Sequence, residues 1–597
     1  MRTNISNTPY YSHLHYKKSS VSLKSLSLCP SVLKKKGSHM KQSLLISLLL
    51  ITALSLSASP WNALGDTLTV IQMPILNVPA IHIPGETLQI TCLAPQSTTG
   101  WQASLIHGSK NIPLQIGSSQ YLSSPDRWEL SATLPNIPVF ELYDLRVTAS
   151  GGLDDTTWNA VKLVPSRKSS YYFVHVTDSH MPTRVYYPDP GFDTDSLAVN
   201  DFRAVMDDIN LINPEFVLFT GDLINEGELE NFAGQHWYGW IQRILNQFDV
   251  PVYVTGGNHD IGGWNSTPAP QGSSRRSWWR YFGWPWLDST NAAWGRFTQD
   301  YSFVYGDVHY IGLEAYDNYD NWRAQIYGGQ SFILSQMQWL NAQMQLYPDK
   351  TRVLFYHYDF SDQLNLSTLG ADMGLWGHIH SNNGSTSTYP YNLATRSTCD
   401  GNRAYRVVRV NGTQLQPLST IYAGYSGSNI SATFQPSNLA VADSVRAIFV
   451  NTQSQSFEHS LLRFNMPPGP YDYVVYNGSL TQVDRSPQRN VVYVNVNLSA
   501  NATQYVSVAS RPSSSTNDPT APTPPLIHNI YPNPFRSALT IELSGAGKSP
   551  SSLYIYDLKG RRVDCIEVPD RAEVINWDSG DLPSGIYFLG GKKIVKL

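Results

Sequence analysis

Three times between residues 171 and 260, an apolar run of strand length stops on residues able to bind a metal ion. Tyr171-Tyr-Phe-Val-His-Val176 stops at Thr177-Asp178-Ser179-His180, Phe216-Val-Leu-Phe-Thr220 at Gly221-Asp222, and Pro251-Val-Tyr-Val-Thr255 at Gly256-Gly-Asn-His-Asp260. The intervening stretches carry apolar residues at helical spacing. Ala198, Phe202, Val205, Met206 and Ile209 form one series, ended by Asn213-Pro214; Trp237, Trp240, Ile241, Ile244 and Leu245 form the next. Strands alternating with helices predict a parallel sheet, and such a sheet gathers ligands in the crevice outside its strand ends.

Two later runs end in the same way. Arg352-Val-Leu-Phe-Tyr356 leads to His357, and Met373-Gly-Leu-Trp376 leads to Gly377-His378-Ile379-His380. The polar set is therefore Asp178, His180, Asp222, Asn258, His357, His378 and His380, with His259 beside Asn258. Two metal ions about 3.5–4 Å apart need a bridging anion and several oxygen or imidazole donors each, and this set supplies them.

The order Asp-x-His, Gly-Asp, Gly-Asn-His-Asp, a lone His and Gly-His-x-His resembles the calcineurin-like metallophosphoesterase family, over the stretch from Ser169 to Cys399. The resemblance implies a four-layer α/β/β/α sandwich. It implies that Asp178, His180 and His380 hold one metal, that Asn258, His357 and His378 hold the other, and that Asp222 bridges them. A water shared by the ions would attack phosphorus in line with the departing oxygen. His259 would face that leaving group as a proton donor, with Asp260 expected to orient its imidazole. Imidazole and carboxylate donors suit Mn, Fe or Zn, as divalent or trivalent ions, with manganese or iron favoured over two zincs. Purple acid phosphatases carry Gly where this chain has His180 and Tyr where it has Asn225, which disfavours an iron–tyrosinate site. The expected reaction is hydrolysis of a phosphomonoester or phosphodiester. The alternative is a non-catalytic surface protein that binds through the same scaffold.

A chain of 597 residues exceeds what one core accommodates, so flanking modules are expected. Only 15% of residues are charged while Tyr and Trp number 35 and 16, a composition suited to β-rich extracellular modules. A net charge of -4 argues against a nucleic-acid partner held by bulk electrostatics. Residues 66–166 have Thr, Val and Ile runs broken by Gly, Pro and Asn, which predicts an immunoglobulin-like β-sandwich ahead of a catalytic unit at 167–400. Residues 401–510 predict a second β-rich unit, with Tyr405–Val410 and Val491–Asn497 as its clearest strands. The aromatic segment Arg275-Arg276-Ser-Trp278-Trp279-Arg280-Tyr281-Phe282-Gly-Trp284-Pro-Trp286 is read first as packing and second as a substrate lip. Cys29, Cys92, Cys399 and Cys565 make no paired motif and are expected as buried thiols.

Both ends read as export signals. Met40-Lys41, the apolar run Leu44–Leu56 and small residues at Ser57-Ala58-Ser59 and Ala63-Leu64-Gly65 form a secretory signal pattern over 40–65. Residues 1–39 are polar and read as an upstream extension from a wrongly chosen start codon. A Ser/Thr/Pro-rich linker spans 511–527. Beyond it Tyr531-Pro-Asn-Pro-Phe535, Leu553-Tyr-Ile-Tyr-Asp557, Leu582-Pro-Ser-Gly-Ile-Tyr-Phe588 and Lys592–Leu597 predict a small β-sandwich at 528–597. These blocks resemble a type IX secretion sorting tail. The resemblance implies the type IX machinery as partner, removal of the tail, and a product secreted or held at the outer-membrane surface.

Overall fold

The structure is a computed structural model that describes residues 69–123, 127–181, 195–225, 231–261, 278, 280–282, 299–314, 332, 334–359, 364–424, 430–512, 526–544, 551–569, 572–589 and 592–597. The signal pattern at 40–65, the extension at 1–39 with Cys29, and most of the linker lie outside the described residues. Among the described residues no helix is long and apolar enough to cross a membrane.

The amino-terminal module has β1 (Ile71–Met73), β2 (Ala80–His82), β3 (Thr87–Cys92), β4 (Gln102–His107), β5 (Lys110–Leu122), β6 (Arg127–Thr133), β7 (Leu142–Ala149) and β8 (Leu153–Leu163). The strand order is β1-β3-β6-β5-β4-β7-β8-β2. β5 serves both halves, pairing with β4 through Lys110–Leu114 and with β6 through Gln115–Leu122. Inward residues of both halves, among them Leu88, Leu130, Leu105 and Val147, enter one core.

The central unit begins with β9 (Ser170–Val176), α1 (Asp195–Ile212), β10 (Val217–Thr220), α2 (Asn231–Leu245), β11 (Val252–Thr255) and the single turn α3 (Asn258–Ile261). It continues with β12 (Tyr301–Tyr305), β13 (Val308–Gly312), α4 (Leu334–Leu346), β14 (Thr351–Phe355), the short α5 (Leu366–Leu369), β15 (Met373–Trp376), β16 (Tyr391–Ala394), β17 (Ala404–Asn411), β18 (Gln414–Pro417) and β19 (Ile421–Tyr422). One sheet has the order β11-β10-β9-β17-β18, the other β12-β13-β14-β15-β16. In the first, β9, β10 and β11 are parallel, as the strand–helix alternation predicts.

The two sheets meet through aromatic faces: Phe303 stacks on Tyr253 at 3.7 Å and Phe216 meets Tyr310 edge-on at 4.9 Å. Alternation along the second sheet then separates two cores. Tyr310, Val353 and Phe355 join the inter-sheet core, while Ile311, Leu354 and Tyr356 pack with Leu340 and Met344 of α4. On the far face of the first sheet, Phe202 of α1 stacks on Phe219 at 5.6 Å.

One expectation is corrected. The run Tyr405–Val410, assigned above to the unit that begins at 401, is β17, and it pairs antiparallel with β9 from Arg406↔His175 to Asn411↔Ser170. The central sheet therefore extends past residue 400. An apolar strand carries no mark of the sheet it joins, and β17 is buried almost throughout because β9 needed a neighbour on that side.

The following module has β20 (Ile430–Gln435), β21 (Ser444–Asn451), β22 (Phe457–Met466), β23 (Tyr471–Tyr476), β24 (Ser479–Arg485), β25 (Asn490–Leu498) and β26 (Ala502–Pro512). They form sheets β20-β21-β26-β23 and β22-β25-β24. Arg463 of β22 ties three units together, reaching Glu141 at 3.0 Å and Asp249 at 2.8 Å. The last module has β27 (Leu526–Tyr531), β28 (Ala538–Ser544), β29 (Ser551–Asp557), β30 (Arg562–Val568), β31 (Val574–Asp578), β32 (Gly585–Leu589) and β33 (Lys592–Lys596). Its two sheets close on their own core, including Phe535, Ile541, Ile555 and Trp577, as expected for a small sandwich.

Within the aromatic segment, Trp278 and Phe282 are buried and stack at 4.0 Å, and Trp278 Nε1 donates to Gln299 Oε1 at 2.8 Å. That is packing. Arg275, Arg276, Trp279, Trp284 and Trp286 lie outside the described residues. Cys92 and Cys399 are buried as expected, whereas Cys565 is exposed.

Candidate metal centre

The loops that leave β9, β10, β11, β14 and β15 interleave at one edge. Asp178 N donates to Gly221 O at 3.1 Å and Gly377 N donates to His357 O at 2.9 Å. Close approach explains two of the glycines in the motifs. A Cβ on Gly257 would strike the Asp222 carboxylate, and one on Gly377 would strike Thr177 Oγ1. Asp178, His180, Asp222, His378 and His380 all have left-handed backbone, with φ between 43 and 66°. Each such residue costs on the order of 1–3 kcal/mol, strain that the packed loops hold in place.

All seven predicted donors converge. Asp178 Oδ1 lies 3.8 Å from His180 Nε2 and 3.5 Å from His380 Nε2, and those two nitrogens are 3.0 Å apart. In a second set, Asn258 Oδ1 is 3.1 Å from His357 Nε2 and 3.0 Å from His378 Nδ1. Asp222 joins the sets through one atom: its Oδ2 stands 3.5 Å from His180 Nε2 and 3.0 Å from His357 Nε2.

Each carboxylate divides its oxygens between scaffold and centre. Asp178 Oδ2 accepts from His378 N at 2.9 Å and Thr177 Oγ1 at 2.8 Å; Asp222 Oδ1 accepts from His259 N at 2.9 Å. The imidazoles are set from behind. His357 Nδ1 meets the Thr220 carbonyl at 2.7 Å, His380 Nδ1 meets Asp400 Oδ2 at 2.8 Å, and His180 Nδ1 meets Asn225 Oδ1 at 3.1 Å. Those oxygens only accept, so the outer nitrogens carry the protons and the inner ones face each other with lone pairs.

Lone pairs and carboxylate oxygens about 3 Å apart repel unless a cation lies among them, and bonds of about 2.0–2.2 Å to one ion would produce such separations. The donor chemistry fits two cations. Burial opposes the charge on Asp222, but His357 and His259 outweigh it and hold the carboxyl well below its ordinary range. Burial likewise opposes protonation of His357, yet the Asp222 charge raises it to about 9, so where no metal is bound a proton on Nε2 takes the cation's place between His357 and Asp222. Burial brings His180 down to about 3 and His378 to about 4.

Asp178, His180, Asp222, Asn258 and His357 are buried, while His259, His378 and His380 are half-buried and line the open side. His259 stacks edge-on against His180 at 4.7 Å, and its Nδ1 meets the Asn225 carbonyl at 2.5 Å. The expected Asp260–imidazole contact is not the one formed. Asp260 accepts from the amides of Leu223 at 2.8 Å, Ile224 at 3.1 Å and Gly257 at 2.9 Å, and so clamps the two loops that carry Asp222 and Asn258. Three amides pointing into a closed space outcompete a half-buried ring for one carboxylate.

Sequence reasoning missed Asp400 and Thr220. Thr220 contributes a carbonyl, which every residue possesses. Asp400 is an isolated Asp 20 positions after His380, and only the turn at Cys399, whose N donates to Asp178 O at 3.1 Å, brings it behind the ring.

Residues 171–382 match the family model described as calcineurin-like phosphoesterase, and residues 529–593 match that of a secretion system C-terminal sorting domain. A probable glycerophosphodiester phosphodiesterase GpdQ from Arcobacter nitrofigilis is 29% identical over 147 residues, 24% of this chain and 42% of that protein. The chain thus spans less than half the length of that relative. Among solved structures, a purple acid phosphatase from yellow lupin (Lupinus luteus) seeds matches at 10% identity and a TM-score of 0.33, covering 61% of this chain and 69% of that one. A dimetal phosphatase from Danio rerio matches at 15% identity and a TM-score of 0.30, covering 42% and 99%.

Proposed function

We propose that the chain is an exported phosphoester hydrolase whose central unit, a four-layer α/β/β/α sandwich, holds two metal ions. The observation that carries this reading is Asp222 Oδ2, one carboxylate oxygen placed between two complete donor sets. Asp178, His180 and His380 hold one ion, Asn258, His357 and His378 the other, and Asp222 both. When bound, the ions neutralise phosphoryl oxygens and lower the pKa of water.

The protein's own residues do the rest. Buried donors keep the centre rigid, and the half-buried edge formed by His259, His378 and His380 is where an ester would enter. At His259 the Asn225 carbonyl fixes the proton on Nδ1. Nε2 is then the atom that gives a proton to the departing oxygen, from the imidazolium form, and regains it afterwards. Asp260 acts as a positioning residue by holding the Asp222 and Asn258 loops in register. Asn225 backs His180 in a place where a tyrosinate type would need a phenol, in keeping with a colourless centre of Mn, Fe or Zn.

The sorting-domain match at 529–593 supports passage to the cell surface or beyond through the type IX machinery. The β modules on either side, which we read as immunoglobulin-like, brace the catalytic unit through Arg463. The catalytic unit extends through β19.

Hydrolysis of bis-p-nitrophenyl phosphate and p-nitrophenyl phosphate, before and after metal stripping and manganese addition, tests the proposal. Activity that disappears with the metal and returns with it is expected, and the ratio of the two rates assigns diesterase or monoesterase preference. No hydrolysis of either ester, with no bound metal, would leave only a binding scaffold.

A further inference from the structure

Each donor set of the candidate metal centre draws on both sheets. Asp178, His180, Asp222 and Asn258 follow strands of the first sheet, whereas His357, His378 and His380 follow β14 and β15 of the second. The separation of the sheets at this rim therefore sets the geometry of both sites. Phe173 of β9 meets Tyr310 of the second sheet edge-on at 5.3 Å, and two residues further along the same face stands His175, just before the Thr177-Asp178 turn. Opposite it on β17 is Arg406. Both are buried, and Arg406 is only 3% exposed.

Arg406 is a cation held by neutral oxygens. Its Nε donates to Thr395 Oγ1 at 3.1 Å and its Nη2 to Ala394 O at 2.9 Å, both at the end of β16 in the second sheet. The other contacts are Leu418 O at 2.8 Å and Asn382 Oδ1 at 3.5 Å, and among the described residues no carboxylate pairs with it. Burial lowers the guanidinium to about 10, so it is charged at neutral pH. A buried charge without a counter-ion is costly, and an apolar residue could fill the same space. An apolar residue could not order a chain of hydrogen bonds. Arginine only donates, so Thr395 Oγ1 accepts from it and turns its own hydrogen to His175 Nδ1 at 2.7 Å. Burial brings His175 down to about 3, so the ring is neutral, carries its proton on Nε2 and gives it to Thr220 Oγ1 at 2.8 Å. Thr220 ends β10, and its carbonyl accepts from Nδ1 of His357 at 2.7 Å. Thr395 N, in turn, donates at 3.0 Å to the carbonyl of Trp376, which precedes the Gly377-His378-Ile379-His380 loop. One directed chain thus runs from the first sheet to the end of the second and back, touching the supports of donors on both.

We propose that Arg406 is a positioning residue for the metal centre, acting through Thr395 and His175 to set the spacing between the donors of the first sheet and those of the second. The proposal rests on the reading of those donors as metal ligands.

Arg406→Met and Thr395→Val, which removes the hydroxyl and keeps the shape, test it on the full chain loaded with manganese. Competition with a chelator should show metal affinity weakened by about tenfold or more in both, the scale of losing a partner behind a metal ligand. The electron paramagnetic resonance signal of the coupled manganese pair should diminish with it. Thr395→Ser, which restores the hydroxyl, should recover most of the affinity and the signal. Arg463→Met, which loosens the module junction, should keep both at wild-type level, and so separates geometry from stability. Thr395→Val carries the test if Arg406→Met does not fold. A wild-type chain that binds no manganese would overturn the metal reading and this proposal with it. Two ions in the wild type, together with unchanged affinity and signal in Thr395→Val, no recovery in Thr395→Ser, or an equal loss in Arg463→Met, would overturn this proposal alone.

Discussion

Asp222 Oδ2 stands 3.0 Å from His357 Nε2, and the same oxygen faces His180 Nε2 at 3.5 Å. The other oxygen is occupied by the His259 amide at 2.9 Å, so the carboxylate cannot turn to offer a different atom to each side. A single fixed anion between two imidazole-rich sets is the arrangement from which the account of this centre follows.

His259 is expected to act on the leaving group and not on metal retention. His259→Ala should lower kcat by about 10²–10⁴-fold with metal content unchanged. The loss should be larger for phenyl phosphate esters than for p-nitrophenyl esters, whose leaving group needs less protonation. Equal losses on both, measured in parallel, would remove the acid role.

Asp400 orients His380 from behind at 2.8 Å. Asp400→Ala should weaken metal binding by about 10–100-fold, the usual effect of losing such a partner. Asp400→Asn, which still offers an acceptor, should recover much of it. Competition with a chromogenic chelator reads the affinity without reference to turnover.

Asp260 is expected to show its role in stability. Asp260→Ala leaves the Leu223, Ile224 and Gly257 amides without their acceptor, at about 1–3 kcal/mol for each. Urea unfolding should register a loss of at least about 3 kcal/mol. Unchanged stability with a lowered kcat would instead restore Asp260 as the partner of the His259 imidazole.

The contact that joins three units should be sensitive to acid. Burial works against the charge on Glu141, but Lys162 and Arg463 outweigh it and bring the carboxyl from 4.5 down to about 2. A depressed folded-state value means that this stabilisation is complete above pH 4.5 and is lost as the pH falls toward about 2. Arg463→Met should cost about 1–3 kcal/mol at neutral pH, because the buried Glu141 loses a half-buried partner and keeps only Lys162. It should also flatten the decline in urea midpoint across that acid window; an unaltered decline would assign it to other carboxylates.

Sequence made the loops of the candidate metal centre legible because each strand is short, apolar and ended by a residue with no place in a core. Val217–Thr220, with all four residues buried, is readable as a strand for the same reason. The sheet that a strand joins is not written into its own residues. β17 is buried almost throughout, like any strand inside a sheet, and its pairing with β9 depends on the vacant side of that sheet. Contacts between side chain and backbone were equally hidden: Asp260 follows His259 directly, but the curvature of α3 aims its carboxylate at the amides of Leu223 and Ile224.

The central claim is that one carboxylate joins two metal sites, and elemental analysis of Asp222→Asn beside the wild type, with hydrolysis of bis-p-nitrophenyl phosphate on the same samples, addresses it most directly. The account predicts two ions per chain in the wild type, one or fewer in the variant, and a rate reduced about a thousandfold, the scale of several kcal/mol of lost charge stabilisation. Two ions per chain and a wild-type rate in Asp222→Asn would contradict it.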